Sequence, residues 1–515
     1  MRPSPVDPSK RPLKQRSFIR FLDILEKYGN QLPDPVTLFI ILALIMIVVS
    51  HFAAMGPVTA VHPSTGETIQ AKSLLSGNGL VQMLTGMVSN FTQFPPLGLV
   101  LVIMTGVGLA EKSGLISALL KRTVLAAPSA WVIPVIIFMA MMGNATGDAA
   151  FVVLPPIAAM VLMALGYHPL VGLVVSYAAV AGGFAANLVI NVLDVLVAGF
   201  TEAGAHMIDS DYVGNPAMNY YFLIASSFLL IVVCTWVTYK ITIPRLGEYT
   251  GQAVKVEPLS RQESCGLRWA GISFLMYIFL LLLLTVPEDG LLRNPETGSL
   301  TKDAPFMTGI VPIITFLFFI PAVVYGIGAK TIRSDRHVTK YLGEAMKEMG
   351  PYIVLVFVAA QTIAYFEWSQ LGPIIAIKGA GFLEKMNLTG IPMFIGFILL
   401  ASLINLILAS SSAKWAILSP VFVPMFMMLG YHPAVTQLAY RIGDSVTNPI
   451  TPMLPYFVIL LSFARQYDAK IGMGTLMALL LPYSIFFAVF WMLLFVLWFL
   501  FGLPLGPDGP IFLPK

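Results

Sequence analysis

Charged residues are scarce in this sequence, and their scarcity indicates the class of protein. They make up 11% of the 515 residues, whereas an ordinary soluble domain contains about 25%. Hydrophobic residues make up 57%, and the mean hydropathy is +0.83. A helix that crosses a bilayer needs about 20 apolar residues, and suitable runs lie at 37–55, 220–239, 269–286 and 475–500. The sequence therefore predicts an all-α polytopic membrane protein.

Several chemical signatures are also absent. The two cysteines, Cys234 and Cys265, indicate no disulfide framework. No HExxH, Walker or GxSxG motif occurs, so we expect neither ATP-driven transport nor hydrolysis, and neither an enzyme nor a cofactor. The net charge of +4 does not indicate nucleic-acid binding, because the positive residues lie in the loops of a membrane protein.

Loop charges predict the topology, because Lys and Arg collect on the cytoplasmic side. Basic residues are concentrated in the N-terminal tail (1–36) and in 240–268 and 330–347, whereas 201–219 and 287–304 are mainly acidic. The tail lacks the pattern of a signal peptide, so we place it in the cytoplasm. Counting one crossing for every apolar block would place the acidic loop at 201–219 in the cytoplasm. The basic loops lie inside and the acidic loops outside only if one block before residue 201 enters and leaves the membrane on the same side.

Two blocks fit such a re-entrant hairpin. Block 131–166 is too short for two spans and is interrupted by GNATGDAA (143–150), and block 391–429 is interrupted by SSSAKW (410–415). Irregular backbone at membrane depth is tolerated only where protein or a water-filled cavity satisfies it. Each interruption therefore predicts a buried site. We expect nine transmembrane helices plus two re-entrant helical hairpins.

An internal repeat supports this count. The motif Gly-Tyr-His-Pro at 166–169 recurs at 430–433, and each copy has a hairpin before it and an interrupted spanning helix after it. Five crossings separate the copies, which are therefore inverted, as is typical of secondary transporters. The predicted organisation is a cytoplasmic tail (1–36), first scaffold helices (37–130), repeat one (131–200, with hairpin 131–166 and broken helix 169–200), central helices and loops (201–390), repeat two (391–465, with hairpin 391–429 and broken helix 434–462), and the last helix with the C-terminal tail (466–515).

Polar residues at the predicted helix ends are candidate binding groups, since such ends offer positive dipoles to an anion and carbonyls to a cation. Asp194 has no basic neighbour within a helical turn, which favours a protonatable or substrate-facing carboxylate. Trp415 could stack on an aromatic ligand or simply pack, and Arg441 and Asp444 could neutralise each other. We expect coupling to Na⁺ or H⁺. The candidate Na⁺ ligands are Asn144, Asp148 (equally readable as a helix N-cap), Asn187, Thr447 and Asn448.

Five long motifs point to one family: NQLPDPVTLFI (30–40), NFTQFPPLG (90–98), GVGLAEKSGLISAL (106–119), SSAKWAILSPVFVPMFMMLG (411–430) and YRIGDSVTNPITP (440–452). Over nearly the whole chain the sequence resembles the p-aminobenzoyl-glutamate transporter (AbgT) family of bacterial inner-membrane transporters. The resemblance implies a homodimer of nine-helix subunits with two hairpins each. It implies transport of p-aminobenzoyl-glutamate-like folate fragments and, in some members, export of sulfonamide antimetabolites. It places the substrate site on Asp194, Ser412, Trp415, Pro433, Arg441, Asp444 and Pro452.

These observations together predict an ion-coupled secondary transporter of p-aminobenzoyl-glutamate and related arylamines, embedded in the lipid bilayer of the bacterial inner membrane. Three alternatives stay open. A sodium- or proton-coupled uptake carrier for dicarboxylates would use a similar hairpin plan. An intramembrane aspartyl protease could use Asp148 and Asp444, each preceded by glycine. A channel would conduct without concentrating its solute.

Overall fold

A computed structural model describes residues 35–56, 58–61, 68–144, 149–247, 249, 259–300, 304–452 and 454–513. The basic part of the tail that the sequence places in the cytoplasm lies outside these residues. Within them the chain is mostly helical, as predicted, and its strands form one two-stranded antiparallel sheet. Strands β1 (Thr59–Val61) and β2 (Thr68–Gln70) make up this sheet.

Nineteen α-helices longer than four residues lie in the described part of the chain. They are α1 (Pro35–Met55), α2 (Gly77–Thr92), α3 (Pro95–Lys112), α4 (Leu115–Leu125), α5 (Val132–Gly143), α6 (Ala149–Ala164), α7 (Pro169–Gly182), α8 (Val192–Ala205), α9 (Tyr220–Val237), α10 (Arg261–Thr285), α11 (Ile310–Gly328), α12 (Asp335–Glu348), α13 (Gly350–Trp368), α14 (Leu371–Lys385), α15 (Ile391–Asn405), α16 (Ser411–Met428), α17 (Pro433–Thr447), α18 (Pro455–Tyr467) and α19 (Met473–Leu500). Single helical turns lie at Ser129–Trp131, Pro305–Thr308 and Asn448–Ile450, and α9 continues through a π-helical segment, Thr238–Thr242, into Ile243–Leu246.

Seven helical segments are long and apolar enough to cross a membrane, among the residues that the structure describes. They are Pro35–Met55, Gly77–Lys112, Tyr220–Leu246, Arg261–Thr285, Ile310–Gly328, Gly350–Trp368 and Met473–Leu500. An eighth would be the pair Leu115–Leu125 and Ser129–Gly143, which bends by 117°. The predicted count of nine spans and two hairpins stays a prediction.

The apolar run at 97–120 does not form one helix. Helix α3 ends at Lys112, and α4 begins at Leu115. Gly114 separates them with φ of +89°, a left-handed conformation that a continuous α-helix does not contain. The chain therefore turns at this glycine.

The two sequence repeats show the same succession of helices. Helices α5 to α8 correspond to α15 to α18, and the same 264-residue offset relates Ala164 to Met428 and Pro169 to Pro433. Within each copy the first hairpin helix packs on the helix that follows the motif (α5 on α7, α15 on α17). Between copies, α6 packs on α18 and α16 packs on α8. Each repeat thus packs against the other through the second helix of its hairpin.

The Gly-Tyr-His-Pro motif makes the same turn in both repeats. Gly166 and Gly430 have φ of +87° and +83°, which glycine adopts without the strain of a side chain. His168 and His432 each accept a hydrogen bond from the backbone N–H two residues further on, at 3.2 Å. Proline then occupies the first helical position. Both histidines are therefore helix N-caps.

Candidate substrate-binding site

The tip of the second hairpin is held against the end of α17. Asn405, the last residue of α15, donates through its amide to the backbone oxygen of Asp444 at 2.7 Å and to Oδ1 of Asn448 at 2.8 Å. The hydroxyl of Tyr440 donates to the backbone oxygen of Ser411, where α16 begins, at 2.6 Å. These bonds place the broken helix of repeat two beside the interruption of its own hairpin, where the sequence predicts a site.

Four charged side chains are buried in the part of the chain that the structure describes, and all four lie here. They are Asp194, Lys414, Arg441 and Asp444, each at most 2% exposed. They form two ion pairs. Removing a charge from water is costly unless an opposite charge and hydrogen bonds compensate it, so the pairing explains how the fold tolerates them.

The first ion pair joins the two repeats. Asp194 is the third residue of α8, and its Oδ2 accepts a hydrogen bond from the backbone N–H of Asn191 at 2.7 Å, which completes a capping box. Its Oδ1 lies 2.5 Å from Nη2 of Arg441, on α17. The sequence shows no basic residue near Asp194, because its partner comes from the other repeat.

The second ion pair lies at the tip of hairpin two. Nζ of Lys414 contacts Oδ1 of Asp444 and donates to Oδ1 of Asn405. The other carboxylate oxygen of Asp444 accepts from the hydroxyl of Ser411 at 2.8 Å. The alternative in which Arg441 and Asp444 neutralise each other is wrong, since each of them takes a partner from a different element.

Trp415 lies one residue beyond Lys414 and is fully buried. Its ring stacks on Tyr440, with ring centroids 4.4 Å apart and an interplanar angle of 22°. Its Nε1 donates to the backbone oxygen of Val197 at 3.1 Å and to the hydroxyl of Thr201 at 3.0 Å, both on α8. In this conformation the ring packs against protein on the α17 side and is anchored to the other repeat.

Polar residues that the sequence did not indicate as site residues continue the hydrogen-bond chain that begins at Trp415. The hydroxyl of Thr201 donates to Oε1 of Gln437 at 2.6 Å, and the amide of Gln437 donates to Oδ1 of Asn219 at 2.7 Å. The amide of Asn219 in turn donates to the backbone oxygen of Ala434 at 2.8 Å. Gln437 lies one helical turn before Arg441, so it could have been found as a polar residue on the same face of α17.

The remaining predicted substrate residues lie at the edges of this cluster. Ser412 is half-buried, and its hydroxyl lies 3.3 Å from that of Ser410. Pro452 is buried just after the single helical turn that follows α17. Pro433 is the first residue of α17, and eight residues separate it from Arg441, which is about 12 Å along a helix. It therefore lies at the far end of the helix from the ion pairs.

Three of the predicted Na⁺ ligands, Asn144, Thr447 and Asn448, form hydrogen bonds within the two repeats. Asn144 donates to the backbone oxygen of Val180 at 2.8 Å, and its Oδ1 has no hydrogen-bond partner among the described residues. Asn448 and Thr447 both accept from Asn405.

Two further members of this set need separate mention. Oriented to satisfy its surroundings, the amide of Asn187 donates to the backbone oxygen of Met141 at 3.0 Å and accepts from Asn191 at 2.9 Å. Asp148 lies outside the described residues. The sodium site stays a prediction.

The family of the chain follows from comparison with known proteins. A model of the AbgT putative transporter family matches residues 20–513. The chain belongs to this family. It is 38% identical over 484 residues, 94% of this chain and 95% of the other, to the p-aminobenzoyl-glutamate transport protein of Escherichia coli (strain K12).

Two solved structures resemble the fold of this chain. The YdaH transporter of Alcanivorax borkumensis, described as having an unusual topology, is 41% identical with a TM-score of 0.89, and the match covers 92% of this chain and 100% of that one. MtrF of Neisseria gonorrhoeae, described with a class of antimetabolite efflux pumps, has the same identity and TM-score over 95% of this chain and 100% of its own.

Membership in the AbgT family confirms the resemblance that the sequence motifs indicated. It makes the chain a multi-pass membrane transporter of a small molecule, and it points away from an enzyme. The aspartyl protease alternative fits the geometry poorly as well, because the carboxylate of Asp444 is held by Lys414 and Ser411.

Proposed function

We propose that this AbgT-family protein is an ion-coupled secondary transporter of p-aminobenzoyl-glutamate and related arylamine compounds, sulfonamides among them, across the bacterial inner membrane. The Escherichia coli relative is named for p-aminobenzoyl-glutamate transport, and the Neisseria gonorrhoeae structure is described with antimetabolite efflux pumps. p-Aminobenzoyl-glutamate joins an aromatic ring to carboxylates, and a sulfonamide joins a similar ring to a sulfonyl group. The site therefore needs an aromatic surface beside a donor for a negative or strongly polar group.

Arg441 is the observation that carries this proposal. Its Nη2 pairs with Asp194, but its Nε and Nη1 have no hydrogen-bond partner in the described part of the chain. A buried donor without a partner costs about 1–3 kcal/mol. Hydrogen bonds from a charged guanidinium to a carboxylate are about twice as strong as neutral ones. Each of the two spare donors can give one such bond to a carboxylate or sulfonyl oxygen of the proposed substrate.

Trp415 and Tyr440 supply the aromatic surface. Both rings are fully buried and stacked on each other, so the conformation described here is closed around them. Alternating access moves one repeat against the other around a central site. In the proposed cycle, movement of hairpin two separates the rings and admits the arylamine ring of the substrate beside Trp415.

The assembly and topology belong to the same proposal: a homodimer, an N-terminus in the cytoplasm, and two re-entrant hairpins. Helices α5 and α15 have 12 and 15 residues, which gives about 18 and 22 Å at 1.5 Å per residue, less than the roughly 30 Å of a hydrocarbon core. Helices α1 and α10 expose apolar side chains such as Leu44 and Leu275 to lipid or a second subunit. Light scattering of the purified protein, with the detergent mass subtracted, measures the subunit number.

Counterflow of radiolabelled p-aminobenzoyl-glutamate in proteoliposomes tests the substrate. We expect excess unlabelled p-aminobenzoyl-glutamate or sulfonamide to suppress uptake of the label, and succinate to leave it unchanged. Suppression by succinate alone would favour the dicarboxylate carrier. A flux that never exceeds equilibrium under Na⁺ or proton gradients would favour a channel.

Arg441→Lys tests the role of the spare donors. The substitution keeps a positive charge for Asp194 but removes the N–H groups of Nε and Nη1, so counterflow should fall about tenfold while the protein stays folded. Arg465→Lys is the matched control, because Arg465 lies in the last turn of α18 and bonds to the backbone oxygen of Ile471. Equal rates for both variants would remove Arg441 from the substrate site.

A further inference from the structure

The residues that follow the last helix, α19, form a structured segment of their own. We name residues 503–513 the C-terminal strap, because they cross from the start of α9 to the turn between α16 and α17. Nδ2 of Asn215, in the acidic loop that the sequence places outside, donates to Oδ2 of Asp508 in the strap at 3.2 Å. The strap therefore lies on the predicted outer face of the protein.

The first half of the strap is fixed to the start of α9. The backbone N–H of Phe222 donates to the backbone oxygen of Leu505 at 3.0 Å, and Leu505 is buried. A Cβ added at Gly506 would lie 2.2 Å from the backbone oxygen of Ala217, which leaves no room for any side chain there. This close backbone packing holds the first half of the strap in place.

The second half of the strap is paired with the Gly-Tyr-His-Pro turn of repeat two. Tyr431 and Phe512 form an antiparallel bridge, and their ring centroids are 5.6 Å apart. The backbone N–H of His432 donates to the oxygen of Ile511 at 2.9 Å, and two residues further on the strap donates to the oxygen of Gly430 at 3.0 Å. The strap thus bonds to the backbone on both sides of Tyr431.

This turn is the joint between hairpin two and α17. Trp415 lies on α16 and Tyr440 on α17, so their stacked rings separate when the angle between these two helices changes. The chain passes from one helix to the other through residues 429–432, where Gly430 has φ of +83°. Hydrogen bonds on both sides of the turn restrain its backbone. While the strap is bound, it therefore opposes any change in this angle.

We propose that the C-terminal strap is a latch on the outer face, and that hairpin two moves away from α17 only when residues 511–513 detach from the turn. The proposal rests on the hairpin movement of the function proposed above. The second half of the strap is the part that detaches, because backbone hydrogen bonds and a ring contact join it to the turn and Phe512 is 52% exposed. The packing at Gly506 keeps the first half bound, so the latch can close again.

A reversible cross-link tests whether the latch must open. The hydrogen bonds flank Tyr431 and Phe512, which are therefore a non-hydrogen-bonded antiparallel pair with Cα atoms about 4.5 Å apart, a separation that suits a disulfide. With the native cysteines replaced by alanine, oxidation of Tyr431→Cys/Phe512→Cys should lower counterflow at least tenfold, and reduction should restore it. Each single substitution, oxidised in the same way, is the control and should not change.

Thiol labelling measures the opening itself. Thr436 is buried on α17, one helical turn before Tyr440 and on the same face. Thr436→Cys should react with a water-soluble maleimide in detergent when hairpin two has moved. Ending the chain after Pro510 removes the latch and keeps the packed half of the strap, so it should raise the labelling rate at least fivefold. The control Ser227→Cys, at a buried position on α9, should label equally slowly in both chains.

Three outcomes would overturn the proposal. One is an oxidised pair that transports as fast as the reduced pair, which would place the movement elsewhere in α16, for example at Pro420. Another is a labelling rate of Thr436→Cys that is the same with and without the latch. The third is equal acceleration at Thr436→Cys and Ser227→Cys, which would make the strap a structural support alone.

The two experiments also separate this proposal from the proposed substrate. Labelling needs no substrate, so it still decides if p-aminobenzoyl-glutamate shows no counterflow. If the chain that ends at Pro510 does not fold, the reversible cross-link in the full-length protein decides.

Discussion

The two hairpins share a backbone plan but differ in the residues at their tips. Positions related by the 264-residue offset carry an amide, an ammonium and a carboxylate in repeat two, where repeat one has only apolar side chains: Asn405, Lys414 and Asp444 against Met141, Ala150 and Val180. The second tip buries an ion pair, whereas all three counterparts in the first are packed in the hydrophobic core. The two copies therefore share their turns and succession of helices, while three of the four buried charges of the described residues lie in repeat two.

The aromatic residues at the tips show how the copies diverged. Trp415 corresponds to Phe151, and each reaches the other repeat: Trp415 hydrogen-bonds to α8, and Phe151 stacks on Tyr456 of α18 with ring centroids 4.4 Å apart. The contact between repeats is common to both tips. The indole nitrogen, and with it the hydrogen bond, occurs at this position in repeat two alone.

The largest effect should come from removing one member of the charged tip. Asp444→Ala leaves Lys414 buried without its counter-ion, which costs about 3–5 kcal/mol of unfolding free energy. The corresponding change in repeat one, Val180→Ala, removes only apolar contacts and should cost about 2 kcal/mol. Denaturant unfolding in detergent measures both, and equal costs would erase the distinction between the tips.

A double substitution sharpens the same point. Lys414→Met/Asp444→Leu removes both charges, and replacing a buried pair by apolar residues is often nearly neutral for stability. We expect most of the stability lost in Asp444→Ala to return, while counterflow stays below a tenth of wild type. Recovery of transport along with stability would show that the pair has a structural role alone.

An intermediate effect is expected at the aromatic position. Trp415→Phe copies the residue type of repeat one and removes the hydrogen bonds of Nε1 to the backbone oxygen of Val197 and to the hydroxyl of Thr201, at a cost of about 1–3 kcal/mol for the two bonds together. Trp491→Phe is the matched control, since Nε1 of Trp491 donates to the hydroxyl of Ser226 at 2.7 Å in a buried place on α19. Both variants should lose similar stability, but counterflow should fall only for Trp415→Phe.

The smallest effect should be the same in both repeats. Gly166→Ala and Gly430→Ala place a Cβ where no other atom lies within 4 Å, so the positive φ alone opposes it. That conformation costs an alanine about 1–2 kcal/mol. Unfolding midpoints that differ clearly between the two variants would show that the turns are not equivalent.

The sequence predicted the class, the repeat and most residues of the charged cluster, because apolar run length, loop charge and turn chemistry are local signals. Partners could not be predicted in the same way. Arg441 and Asp444 are three residues apart, which suggested a pair, yet Arg441 pairs with Asp194 of the other repeat. Such a choice depends on how α8 and α17 pack. The same holds for Asn405, which looks unremarkable in its apolar helix until the hairpin folds.

Two amides fix the last turn of α7 from opposite directions. Asn144, at the end of α5, donates to the backbone oxygen of Val180, and Asn448, just past α17, donates to that of Ala181 at 3.2 Å. Adjacent peptide groups of one helix thus each bind a side chain from a different repeat. A displacement of this last helical turn therefore has to break both hydrogen bonds or carry both side chains with it.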